Sequence, residues 1–372
     1  GVYLAFFIFT PKNMRLFTFV ILLSILLFSC KKDDSNVIVY EERFGEGMYI
    51  ITDQGISFYN YLDTTAEVIS QIYNFTNSAV IENPKKIKFK GTKAYILTDN
   101  SIIKTNVKTF ESLGITRGFL NPVDFDLIRP GDRMFVIDRD DAKVKEVDLE
   151  RMEIVSEIET GDSTRPISIV SNSYRSFIMN GGQLANYAKD STIIVIEYRD
   201  DLVPLANIIA SVEVGYNPNS AVITTSGSGS LKVLCKGFYD PSMPSYNIES
   251  SVSSINQYTN EVYSTNILSG IYNAQNLIRN WNNSKCYFTA EGGVYRLNPN
   301  NLNVSAVSSI NASVISTVVE ANVINDSTTT YTEMLYMNDD NMPNYIYKYD
   351  LDQAVFVDTI IVDGNVRDIN FY

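Results

Sequence analysis

Aromatic and cationic residues gather in two stretches of this 372-residue chain, 180–191 and 236–251. The first carries Tyr187 and Lys189, and the second Phe238, Tyr239 and Tyr246. Arg165, Tyr216 and Tyr272 stand in shorter connections between apolar runs. Aromatic side chains on loops stack on a flat ligand or a sugar, while Arg or Lys orients a polar group, so these residues form the candidate ligand-binding set. The competing use of the same aromatics is to pin long loops to the body of the protein.

The chain has no histidine. That excludes Ser-His-Asp and Cys-His catalysis, histidine-ligated zinc or copper, and haem held by histidine. Carboxylate chemistry remains, and two acidic clusters bear on it: Asp138-Arg-Asp-Asp141 and Asn338-Asp-Asp-Asn341. Neither matches an EF-hand loop, and Asp and Asn are favoured at turns for their geometry alone. No catalytic residue, metal site or cofactor is assigned. Cysteines are three, Cys30, Cys235 and Cys286. The last two fall in corresponding strands but offset by about 13 Å along them, at about 3.3 Å per residue, too far for a disulfide, so both are expected free and buried. Trp281 is expected at the far end of a strand, in a packing role.

The elements that must position these residues repeat. Asn121 to Gly161 contains four short runs, Pro122–Leu127, Arg133–Asp138, Lys143–Leu149 and Glu153–Ile158, each alternating apolar and polar residues and separated by Gly, Pro or Asp clusters. Such runs are strands with a buried face, and four of them make an antiparallel sheet that needs a neighbour on each side. Innermost runs begin at Pro84, Pro122, Pro166, Pro218, Asn273 and Thr317, with a last one at Val366–Tyr372. The four prolines are separated by 38, 44 and 52 residues, close to the roughly 40–50 of a propeller blade. Third runs end in a recurring polar corner, such as Asn106-Val-Lys108 or Asp350-Leu-Asp352, and a fourth run is expected after each. The first unit, Gly47 to Tyr73, lacks an inner strand, while the chain ends in an inner strand that lacks the rest. The two fit together as ring closure. The fold predicted is all-β: a seven-bladed β-propeller of four-stranded antiparallel blades, the first closed by the C-terminal strand. Helical periodicity is nearly absent.

In such a blade the inner-to-second and third-to-outer connections share one face of the ring, and the other connections share the opposite face. Both long aromatic stretches are second-to-third connections of adjacent blades. Together with the outer-to-inner turns carrying Arg165, Tyr216 and Tyr272, they are predicted to wall one pocket over the axis.

Residues 1–13 precede Met14-Arg15 and read as an upstream extension. Residues 14–29 read as a lipoprotein signal peptide: Leu16–Phe28 has the length of a signal-peptide apolar region, too short for a comfortable membrane span. Leu27-Phe28-Ser29-Cys30 resembles a bacterial lipobox, with Phe28 departing from its strictest form; the resemblance implies lipidation of Cys30. Residues 30–46 form the tether, and 47–372 the propeller. Lys31-Lys-Asp-Asp-Ser-Asn36 resembles the export signal of Bacteroidetes surface lipoproteins, which implies the outer face of the outer membrane; a periplasm-facing lipoprotein is the alternative. With Lys+Arg 30 against Asp+Glu 43 and a net charge of −13, a polyphosphate is repelled, so no nucleic-acid partner is expected.

Proline-led inner strands followed by Phe135-Val-Ile-Asp138 and by Lys145-Glu-Val-Asp-Leu149 resemble the YVTN/YncE-type propellers. A lipoprotein signal ahead of seven such blades is similar to the surface cobalamin-binding propellers that work beside an outer-membrane transporter. The resemblance implies a non-enzymatic binding lipoprotein that captures a small nutrient, cobalamin as the first guess, for a TonB-dependent partner; no binding residue of that group can be matched here. An adhesion or scaffold module binding protein or glycan is the second reading, and a His-free lactonase-like enzyme the third.

Overall fold

A computed structural model describes residues 41–372, apart from residue 64 and the segments 129–131, 162–164, 182–189, 199–205, 226–229 and 326–327. The predicted signal peptide, Cys30 and most of the predicted tether thus lie outside the described residues, as do Tyr187 and Lys189. Seven antiparallel sheets form a ring. Their inner strands are, in chain order, Lys86–Lys90 (blade 2), Pro122–Ile128 (blade 3), Ser168–Ser171 (blade 4), Pro218–Ile223 (blade 5), Gln275–Arg279 (blade 6), Ile315–Asn325 (blade 7) and Val366–Phe371, which belongs to blade 1. Each contacts the next around the axis, and the last contacts the first. Pro122 and Pro218 open their strands, where a missing N–H costs no ladder bond.

Second strands read as continuous apolar runs because both of their faces are buried. In Met48–Thr52, Met48 and Ile50 face blade 7 while Tyr49 and Ile51 face blade 2. The same division gives one apolar cluster to every junction between neighbouring blades, seven in all among the described residues. Cys235 and Cys286 are free and buried in two of these clusters, and burial pushes each thiol up to about 12.

Closure follows the sequence pattern: Met48 pairs with Phe371, Ile50 with Ile369 and Thr52 with Val366. Blade 1 itself has three strands, and its outer position is held by one bridge, Phe58 to Ile69. There the expected fourth run gives way to a short helix, Ile72–Asn77, whose Ile72 and Tyr73 fill the junction with blade 2. Blade 7 departs in the other direction. Its inner hairpin is 11 and 12 residues long, longer than every other inner strand, and it extends past the ring on the face where inner strands end.

The polar corners are turns capped by their own first residue. Asn106, Asp148, Asn256, Asn298 and Asp350 each accept a hydrogen bond from the backbone N–H two residues on. Two residues further, Phe110, Met152, Asn260, Leu302 and Ala354 take the left-handed conformation. Second-strand ends are likewise tied to the preceding loop: Asp138 accepts from the N–H groups of Leu120 and Asn121, and Asn338 from those of Ser313 and Val314. The two acidic clusters are therefore built into blade corners.

Both ends of the ring-forming chain lie on one face. Gly47 and Tyr372 exchange backbone hydrogen bonds where the inner strand of blade 1 ends and its second strand begins. Ahead of them, the N–H groups of Arg43 and Phe44 donate to the Lys108 carbonyl, in a third-to-outer corner of the same face.

Candidate functional site

The described members of the predicted set, Arg165, Tyr216, Phe238, Tyr239, Tyr246 and Tyr272, fall on the face of the second-to-third turns. The turn 236–251 folds back on itself through a bridge between Phe238 and Ile248, made possible by Gly237, whose φ is 71° and where a Cβ would meet the Ile248 carbonyl at 2.2 Å. Tyr239 and Tyr272, from adjacent blades, meet with ring centres 5.0 Å apart and planes at 37°. The Tyr216 carbonyl accepts the Gly237 N–H, so Tyr216 is tied to the same loop. Tyr246 ends a single 3-10 turn, Pro244–Tyr246, and is exposed, as is Arg165; Phe238, Tyr216 and Tyr272 are half-buried. The structure thus joins Tyr239 to Tyr272 beside the connection from blade 5 to blade 6, while Tyr216, in the connection from blade 4 to blade 5, reaches the same loop through its carbonyl.

The axial cavity opens on the opposite face. It measures about 810 Å3 and is lined by the far ends of the inner strands of blades 1 to 6: Lys88–Lys90, Asp126–Ile128, Ile169–Ser171, Ala221–Ile223, Arg279 and Asn370–Phe371, together with the turn residues Gly91, Asn172 and Ser173. Inner strands run toward this face, so their carboxyl ends form the mouth. The signal for it in the sequence is a run of charges at period two on innermost strands, Lys86-Ile-Lys-Phe-Lys90 facing Asp124-Phe-Asp126. Trp281, expected to pack, instead stands 71% exposed on this same face, just beyond the inner strand of blade 6. Its strand ends at Arg279, so Trp281 stands in the exposed turn beyond it.

The channel wall is cross-tied by side chains from one inner strand to the backbone of the next. Asp368 accepts the Ile87 N–H at 2.9 Å, Asp124 the Ile169 N–H at 3.0 Å, Asp126 the Ser171 N–H at 2.7 Å, and Ser220 the Leu277 N–H at 2.9 Å. Lys86 pairs with Asp124 at 2.9 Å and Lys88 with Asp126 at 3.2 Å. Burial opposes the charges of Lys88 and Asp124, but their partners outweigh it: Asp126 and Asp124 hold Lys88 above the usual lysine value, and Lys86 and Lys88 hold Asp124 below the usual carboxyl value. At Asp368 burial prevails over the Ile87 amide and the two lysines and pushes the carboxyl up to about 6. Among the described residues no group of three or more acidic or cysteine side chains is placed to hold a metal ion.

No protein family and no curated protein matches this chain. Solved structures do. A protein of Lactobacillus plantarum superposes with a TM-score of 0.63 at 10% identity, covering 88% of this chain and 99% of that one. The periplasmic gluconolactonase of Pseudomonas aeruginosa gives 0.62 at 11%, covering 88% and 98%. A functionally unknown protein of Desulfotomaculum acetoxidans gives 0.61 at 12%, covering 87% and 98%. At these identities the likeness is one of fold, and the fold is the seven-bladed β-propeller.

Proposed function

We propose that the chain is a non-enzymatic binding propeller that captures a small molecule in its axial cavity. The observation that carries the reading is the cavity itself: about 810 Å3, walled by six blades at their inner edges, and within the roughly 300–1,000 Å3 of small-ligand sites. Lactone hydrolysis, which the gluconolactonase likeness would suggest, needs a water-activating group in that space. Asp368 has the raised carboxyl for it, but it is spent on the Ile87 amide and does not line the cavity. A second reading places a sugar or flat ligand on the other face, favoured by the partly exposed Tyr239–Tyr272 pair.

One experiment separates the two. Ser173→Trp plugs the cavity mouth from an exposed turn position, and Tyr239→Ala removes half of the ring pair on the far face. Thermal-shift and calorimetric titration with cobalamin, sugars and small carboxylates should find a ligand whose affinity drops at least tenfold in Ser173→Trp and is unchanged in Tyr239→Ala. The opposite pattern moves the site to the aromatic face. Cobalamin, the ligand the sequence resemblance implies, has a direct readout in colour retained through desalting. Delivery to a TonB-dependent transporter from a lipid anchor at Cys30 completes the proposal and rests on the lipobox and the charged run after it. Unchanged detergent partitioning of Cys30→Ala would count against the anchor.

A further inference from the structure

We infer that the axial cavity selects small organic anions, a carboxylate or phosphate ester held between the lysines of blade 2 and Arg279 of blade 6. This rests on the cavity being the ligand site. The protein carries a net charge of −13, yet the charged residues lining the cavity are Lys88, Lys90 and Arg279 against Asp126 alone. A cationic pocket in an acidic body is a local reversal of the field, and low-dielectric walls focus such a field on the space they enclose.

Apart from the exposed Ser173 hydroxyl, the unused hydrogen-bonding capacity of the lining side chains lies with the cations. Asn172 gives its amide to Gln257, Asn370 gives its own to the Ile87 carbonyl, and Ser171 shares a proton with Ser176. Asp126 is occupied by Lys88 and by the N–H groups of Ser171 and Leu127. Arg279 donates one hydrogen bond, to the Ile223 carbonyl at 2.6 Å, and among the described residues it has no carboxylate partner. A guanidinium has five donors in a fork that fits a carboxylate or phosphate. Lys90 pairs with Asp132 at 2.8 Å, but Asp132 is 74% exposed and outside the cavity, so that pair is screened and readily exchanged. Blades 2 and 6 stand across the ring, three junctions apart by the shorter way, so an anion on the axis meets cations from two sides.

The test uses citrate and inorganic phosphate as charged probes and glucose as a neutral one. Citrate should bind the intact protein with an affinity that falls at least tenfold in Lys90→Gln/Arg279→Gln and falls again with added salt, while Arg279→Lys in place of Arg279→Gln restores part of it. Lys88 is left alone because Asp126 and the blade junction depend on it. Absence of any heat with both anions, or citrate binding that the double variant leaves unchanged, overturns the inference. Anions failing while Ser173→Trp still blocks a neutral ligand would remove the charge selection and leave the cavity as the site. Ser173→Trp blocking nothing would remove the cavity itself.

Discussion

Asp368 is the residue whose environment opposes its charge most plainly. With its carboxyl pushed up to about 6 from a model-compound value of 3.8, the folded state holds that proton more tightly than the unfolded chain does. Its contribution to stability is therefore complete below about pH 4 and is lost as pH rises through 6. Asp124, held low by Lys86 and Lys88, has the opposite sign, its contribution present above the usual carboxyl value and lost on acidification. Asp368→Asn keeps an acceptor for the Ile87 N–H and removes the charge. Urea unfolding should find it about 1–2 kcal/mol more stable than the parent at pH 7, less than the roughly 3 that two pH units represent because Asp368 is only half-buried. At pH 4 the two proteins should be equal. A difference of the same size at both pH values would show that the effect is not ionisation.

At the scale of elements, the corners explain why so remote a set of repeats folds alike. An Asn or Asp at the third-strand end caps its own turn, and the residue four further on must be left-handed, a conformation that costs a residue with a Cβ about 1 kcal/mol. Ala354 occupies it with φ 57° and is exposed, so Ala354→Gly should stabilise the protein by about 0.5–1 kcal/mol, read as a higher urea midpoint at unchanged slope. These corners were legible because their chemistry is local: Asn106, Asp148 and Asp350 act on N–H groups two residues away. Strand alternation was legible for the same reason. The helix Ile72–Asn77 was not, since six residues give under two turns of periodicity and its two buried side chains, Ile72 and Tyr73, are fixed by the junction with blade 2 rather than by their neighbours in sequence. The long hairpin of blade 7 was missed because Thr328-Thr-Thr-Tyr-Thr332 has strand propensity without the apolar alternation that burial imposes. The cavity was not legible because the residues lining it come from six blades and only the ring brings them together, whereas each aromatic loop is a single stretch of sequence.

The whole ring has no dispensable end. Val366–Phe371 is the sole inner strand of blade 1, and Val366 and Ile369 lie buried at the junction with blade 7. Burying two such side chains is worth about 3–6 kcal/mol, before the ladder to Met48–Thr52 is counted. Deleting Val366 to Tyr372 should lower the melting temperature steeply or abolish the cooperative transition, because it opens blade 1 at the axis and bares Met48 and Ile50. An unaltered melting temperature would mean that closure contributes nothing.

Gly47 and Tyr372 meet on the face where the cavity opens, and Arg43 and Phe44 are laid along that face by the Lys108 carbonyl. The chain therefore enters the ring near Arg43 and leaves it at Tyr372 on the side where the cavity opens. If Cys30 carries the proposed lipid, the link to the bilayer joins the ring on its open side, so loading and unloading of the cavity would both take place on the side from which the ring is held.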